Sequence, residues 1–168
     1  RYAAPVPPDP WDGVRDALEF GPTAQRGDPG VTLIPEPSVP GAATLNVNVY
    51  TPAPGDRGAK LPVMVWIHGG ANVAGGGDLP RFEPSQMVAE NNVIVASINF
   101  RLGAYGFLGG GDDRADGVPP SNLGLMDIQA GLEWLRANIA AFGGDPEQIT
   151  MFGQSAGADH ILSLMVIA

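Results

Sequence analysis

Cysteine is absent from the 168 residues, so the chain has no disulfide framework, no thiolate nucleophile and no cysteine-based metal site. Basic residues are scarce: nine Lys and Arg stand against 18 Asp and Glu, a formal net charge of −9. A surface that acidic lacks the basic footprint that nucleic acid or an anionic membrane requires, so neither is an expected partner. No run approaches the ~18 consecutive apolar residues of a membrane span, and no charged-then-apolar leader is visible, so no transmembrane segment is expected and the compartment stays open. What the chain does have is a 44% share of apolar residues, enough for the core of one domain, and 24 glycines.

Two of the glycine clusters carry chemistry. Gly153-Gln154-Ser155-Ala156-Gly157 follows a short β-branched apolar run and precedes a helical one. A strand that turns sharply into a helix has no room for side chains at the crowded positions, so the glycines permit close packing while Ser155 takes a strained backbone angle at the exposed tip. The blander alternative is a tight glycine turn with an incidental serine. Context upstream argues against it. Val63 to Ile67 reads as a buried strand, a continuous apolar run that ends in His68-Gly69-Gly70. Such a loop looks like the second half of the oxyanion hole of lipases and esterases, side-chain-poor backbone whose N–H groups close on a carbonyl oxygen.

Elsewhere the pattern predicts a proline-rich extended wrap over residues 1–40, with Trp11 and Phe20 as apolar anchors, followed by residues 41–168 as one unit of sheet, oxyanion loop and nucleophile turn. Leu45, Val47 and Val49 alternate against Thr44, Asn46 and Asn48, a half-buried strand. The polar turn Pro52 to Lys60 then predicts a hairpin between that strand and Val63 to Ile67. Ala71 to Glu83, with further glycines, reads as loop, Pro84 to Asn91 as a short helix and Val93 to Ile98 as a second buried strand. Gly109 to Ser121 reads as a surface loop whose acidic residues have the wrong spacing for an EF-hand. Ile128, Leu132, Leu135, Ile139 and Phe142 mark a helix over Leu125 to Phe142, stopped by Gly143 and Gly144, before a third buried strand at Ile149 to Phe152. Strand, helix and strand in succession imply an α/β fold with a mostly parallel central sheet flanked by helices and a site at the C-terminal strand ends.

Taken together, Pro10-Trp11-Asp12-Gly13-Val14-Arg15-Asp16-Ala17, Phe20-Gly21-Pro22, Asn48-Val49-Tyr50-Thr51-Pro52, the His68 loop, Asn99-Phe100-Arg101-Leu102-Gly103, Gly106-Phe107-Leu108 and Asn138 to Pro146 leading into the serine turn resemble the type-B carboxylesterases, which include the cholinesterases. The resemblance covers nearly the whole sequence. It implies the α/β-hydrolase fold, of which this would be only the N-terminal third of a single catalytic domain, with both ends cuts. It also implies a serine carboxylic-ester hydrolase with an acyl-enzyme on Ser155, an oxyanion hole at Gly70, Ala71 and Ala156, and a buried structural ion pair between Arg101 and Asp127. Neither cofactor nor metal is expected; the partners implied are a small-molecule ester and the remainder of the hydrolase, which carries the acid and histidine. His68 and His160 are the two histidines present. His68 is expected to be scaffold, and His160, five residues into the helix after Ser155, to project its ring away from the serine oxygen.

The sequence also departs from the family pattern. Ala42, Ala43 and Thr44 stand where an acidic pair and a cysteine are usual, which removes the family's first disulfide loop and leaves the ion pair to the arginine matching Arg1 without its partners. Ala71 replaces a third glycine, Asn72 an aromatic and His160 a small residue. A catalytically silent, cholinesterase-like binding domain is the alternative; silent relatives tend to lose the serine or the oxyanion glycines, whereas this chain keeps Ser155 and Gly70.

Overall fold

The structure, a computed structural model, describes residues 2–26, 38–109 and 120–167. Most of the Gly109 to Ser121 loop, and Arg1, lie outside the described residues. Four strands, β1 (Val47–Tyr50), β2 (Leu61–Ile67), β3 (Ile94–Ile98) and β4 (Gly144–Gly153), form one sheet in the order β1-β3-β2-β4. Between and after them run the helices α1 (Ser85–Asn91), α2 (Gly103–Phe107), α3 (Leu123–Asn138) and α4 (Ala156–Ile167). β2 pairs in parallel with both β3 and β4, as the strand–helix–strand succession requires, and β1 alone is antiparallel.

That order corrects the expected hairpin. β1 lies on β3, from Val47 opposite Ile98 to Tyr50 opposite Val95, and never meets β2. The ladder of β2 is taken on both edges by parallel neighbours, so β2 has no edge to offer β1, which adds to the outer edge of β3. The Pro52 to Lys60 turn is diverted instead across the end of α3: the Thr51 hydroxyl donates to the Phe142 carbonyl at 2.8 Å.

Burial in β2 alternates rather than running through the whole strand. Leu61, Val63, Val65 and Ile67 face the core, packed with Ile94, Ala96, Ile98, Ile128, Leu135, Ile139 and Leu164, while Met64 and Trp66 look to the other, thinner layer. There Trp66 packs between Phe82 and Phe152, each with its ring centre 5.0 Å away. A strand with a helix layer on one face and loops on the other shows period two even when every residue is apolar. Only β3 is buried at all five positions. α3 ends at Asn138 and tightens into a 3-10 turn over Ile139–Phe142 that Gly143, at φ 88°, closes; the expected stripe holds, with Ile128, Leu135 and Ile139 wholly buried and Leu132 and Phe142 packed at its margin.

Over its described residues, 2–26 and 38–40, the N-terminal wrap is extended, but its anchors are not those expected; residues 27–37 lie outside the described residues. Trp11 is 55% exposed and Phe20 45%, and Val14 and Leu18 point almost wholly to solvent. Trp11 is covered instead by the Arg15 guanidinium, 5.7 Å above its ring. With prolines at 5, 7, 8 and 10 the segment has few amides with which to dock. It is held at its ends, where the Tyr2 ring meets Tyr105 at 5.5 Å and the Ala3 carbonyl accepts from Arg101 Nη1, and where Thr23 and Val39 exchange hydrogen bonds at 2.8 and 3.0 Å.

Candidate active site

The register of β2 on β4 creates the site. Ile67 lies opposite Gly153, so the two chains leave the sheet side by side, one into His68-Gly69-Gly70 and the other into Gln154-Ser155. The approach is close: a Cβ on Gly69 would sit 2.5 Å from the Gln154 carbonyl oxygen and 3.1 Å from Ser155 Cβ. Behind the serine, a Cβ on Gly157 would meet the Ile67 carbonyl oxygen at 2.1 Å, so α4 packs against β2 only because that position is bare. Ser155 holds φ at 55°, a conformation that disfavours any side chain, and stands exposed at the tip. Its carbonyl accepts the amides of Ala158 and Asp159, and that of Gln154 accepts Gly157, which starts α4 directly behind the serine oxygen.

Facing it, the Gly70 carbonyl accepts from the amides of Val73 and Ala74, each at 3.0 Å, in a tight turn that carries Ala71 (φ 52°) and Asn72 (φ 63°) through the left-handed region. Among the described residues, no backbone hydrogen bond takes up the amides of Gly70, Ala71 or Ala156. The glycine loop and the start of α4 thus meet beside one exposed hydroxyl, that of Ser155.

The loop after this turn rests on a polar network that includes Asn46 and Asn48, the polar side of the expected alternation. Asn99 accepts from the Gly77 amide at 2.9 Å and donates to Asn46 at 2.8 Å; the Ser97 hydroxyl donates to the Gly77 carbonyl and accepts from Asn48, both at 3.1 Å. Asn48 therefore faces the glycine loop, Asn46 joins it through Asn99 while donating to the Pro22 carbonyl at 2.7 Å, and the buried Arg26–Asp78 ion pair closes its far end. A rule that sends polar residues to water could not find them, because a buried loop offers its own backbone as partner.

His68 is fully buried, stacked on Phe100 with ring centres 4.3 Å apart, and its Nδ1 lies 2.9 Å from the Gly69 carbonyl, to which the Nδ1–H tautomer donates. Burial drives its pKa down to about 4, so it is neutral at pH 7. His160 is also buried; its ring stacks on Phe107, meets Phe100 edge-on, and its Nε2 lies 2.8 Å from Asn72 Oδ1. Burial lowers its pKa as well.

Arg101 and Asp127 meet as a two-pronged pair, Nε to Oδ2 at 2.7 Å and Nη2 to Oδ1 at 2.6 Å, and the Arg101 amide adds a third bond to Oδ2 at 3.0 Å. The Asp127 carboxylate is almost wholly buried, whereas the Arg101 side chain keeps 13% of its surface exposed. Replacing Asp127 by alanine in the full-length protein should cost about 3–5 kcal/mol, because the largely buried guanidinium then loses its counter-charge and two side-chain hydrogen bonds, and the Arg101 amide a third. Chemical denaturation checks this; a loss under about 1 kcal/mol would show that the pair behaves like an exposed one.

Among known proteins, the model of the carboxylesterase family matches residues 1–168, and the chain belongs to that family. It is 41% identical to the para-nitrobenzyl esterase of Bacillus subtilis over 171 residues, 99% of this chain and 34% of that protein. It is 40% identical to the human cocaine esterase over 175 residues, 99% of this chain and 30% of that one. Among solved structures, a thermophilic PNB esterase superposes with a TM-score of 0.85 at 41% identity, covering 98% of this chain and 34% of the other, and a Geobacillus stearothermophilus carboxylesterase with 0.82 at 41%, covering 96% and 32%. The fold is that of the α/β-hydrolases, and the chain spans about a third of the length of the relatives it matches.

Proposed function

We propose that the chain is the N-terminal part of the single catalytic domain of a serine carboxylic-ester hydrolase that works through an acyl-enzyme on Ser155. The observation that carries the reading is the β2–β4 register, which sets the His68-Gly69-Gly70 loop against the serine turn. The Ser155 oxygen adds to the ester carbonyl as its proton passes to a general base. The tetrahedral oxyanion is held by the N–H groups of Gly70, Ala71 and Ala156, collapse breaks the carbon–alkoxy bond and expels the alcohol, and water then releases the acid. Base and orienting acid come from outside these residues: His68 and His160 are both buried in ring stacks, His68 beside the Gly69 carbonyl and His160 against Asn72 Oδ1. Arg101 and Asp127 are structural in this reading, an ion pair that fixes the β3–α2 connection on α3.

The relatives para-nitrobenzyl esterase and cocaine esterase are named for different esters, which supports the class of bond, a small-molecule carboxylic ester, rather than one substrate. Treating the full-length protein with a fluorophosphonate probe and mapping the adduct by mass spectrometry tests the assignment. The label is expected on Ser155 alone; an adduct on another residue would overturn it.

A further inference from the structure

Two elements hold the turn that carries the oxyanion amides, and both do so through one residue. The Asn72 carbonyl accepts from the Gly103 amide, the first residue of α2, at 2.6 Å. Its side-chain Oδ1 lies 2.8 Å from His160 Nε2, on the first turns of α4. Asn72 follows Ala71 directly and shares with it the left-handed backbone, so both pay a local strain that surrounding contacts must hold in place. The His160 ring cannot swing away to release it: Phe107 of α2 stacks on it at 5.1 Å and 7°, and Phe100 closes the edge at 5.4 Å. Phe100 in turn stacks on His68, which opens the same loop. Rings from the oxyanion loop, the end of β3, α2 and α4 thus form one cluster beneath the turn.

From this arrangement we infer that His160 is a positioning residue for ester hydrolysis: its Nε2–H donates to Asn72 Oδ1 and thereby fixes the Ala71 amide relative to Ser155. The inference rests on the esterase reading above and extends it to a residue that touches neither substrate nor nucleophile. It has a geometric reason. His160 and Ser155 belong to the same rigid unit, α4 and its N-terminal turn, so a bond from His160 to Asn72 ties the oxyanion loop to the frame of the nucleophile rather than to the sheet alone. Shifting a donor by a fraction of an ångström weakens its bond to the transition state, which forms a full oxyanion, more than to the bound ester, so the effect should fall on kcat rather than on KM.

The experiment compares His160→Ala, His160→Gln, Asn72→Ala and the double alanine variant of the full-length protein, with Ser155→Ala as a parallel control, on p-nitrophenyl acetate and in the rate of fluorophosphonate labelling. Each single alanine variant is expected to lower kcat and the labelling rate about tenfold, with KM within about twofold of the parent. The double variant should be no slower than the slower single one, since both remove the same bond. Glutamine, whose amide N–H can replace Nε2–H, should recover most of the loss. The thermal midpoint separates loss of fold from loss of position, and if His160→Ala does not fold, Asn72→Ala, a half-buried position, and His160→Gln carry the comparison. Losses that multiply in the double variant, a loss confined to KM, or a folded glutamine variant no better than alanine would each overturn the positioning role. Full turnover by Ser155→Ala would instead overturn the esterase reading on which it rests.

Discussion

Replacing Ser155 by alanine in the full-length protein should lower kcat for ester turnover by about 10⁶-fold, as removal of the nucleophile does in serine hydrolases generally, and leave KM nearly unchanged. The reason is local. Ser155 Cβ sits 3.1 Å from where a Cβ of Gly69 would stand, at a backbone angle that only a rigid turn sustains, and the amides of Gly70, Ala71 and Ala156, proposed above as oxyanion donors, have no backbone partner among the described residues. Alanine keeps that backbone and those amides but forms no acyl-enzyme, so the residual rate is what the oxyanion hole and binding provide alone. Steady-state kinetics on a short p-nitrophenyl ester, with the variant purified free of parent enzyme, checks the figure. A loss of less than about tenfold would place the nucleophile elsewhere.

Residues 1–168 expressed by themselves should sediment as heterogeneous assemblies and show no serine-dependent ester turnover. β4 is an edge of the sheet among the described residues, so one side of a ten-residue strand offers unpaired N–H and C=O groups. Beside it α4 turns outward an apolar face: Leu162 is 62%, Met165 70% and Val166 85% exposed. Ile161 and Leu164 do not belong to that face, since both pack onto the core. Between α3, β4 and α4 a groove of about 270 Å³, lined by Leu132, Met151, Leu164, Met165 and Ile167 with Gln129, continues the apolar surface. An open edge next to such a patch favours association. With base and acid outside these residues, as proposed above, at most the ~10³–10⁴-fold over water that oxyanion hole and binding supply would remain. Analytical ultracentrifugation and an ester assay decide it: a monodisperse monomer whose turnover vanishes in Ser155→Ala would mean that the triad is complete within these residues.

How well the sequence foretold the molecule depended on the range of the interaction. The stripe Ile128, Leu132, Leu135, Ile139 and Phe142, the stop at Gly143 and the serine turn between Gly153 and Gly157 were legible because each is set by neighbours within a few residues. The hairpin was not: a polar turn between two apolar runs is the same local signal whether the runs pair or a third strand comes between them, and here β3 comes between. Trp11 and Phe20 misled in the same way, since their apolarity says that they gain from burial and not whether a surface is there to bury them.

The two departures from the family pattern at Asn72 and His160 had no explanation along the chain. They lie 88 residues apart and meet in one hydrogen bond. By itself, then, the sequence determined the strand-to-helix turn with its serine, the glycine loop after β2 and the family, because those rest on backbone sterics and short-range periodicity. Only the tertiary structure decided strand order, the turn of Asn46 and Asn48 onto Asn99 and Ser97, and the contact of His160 with Asn72, because each depends on which distant backbone the registers of β1 on β3 and of β2 on β4 bring alongside.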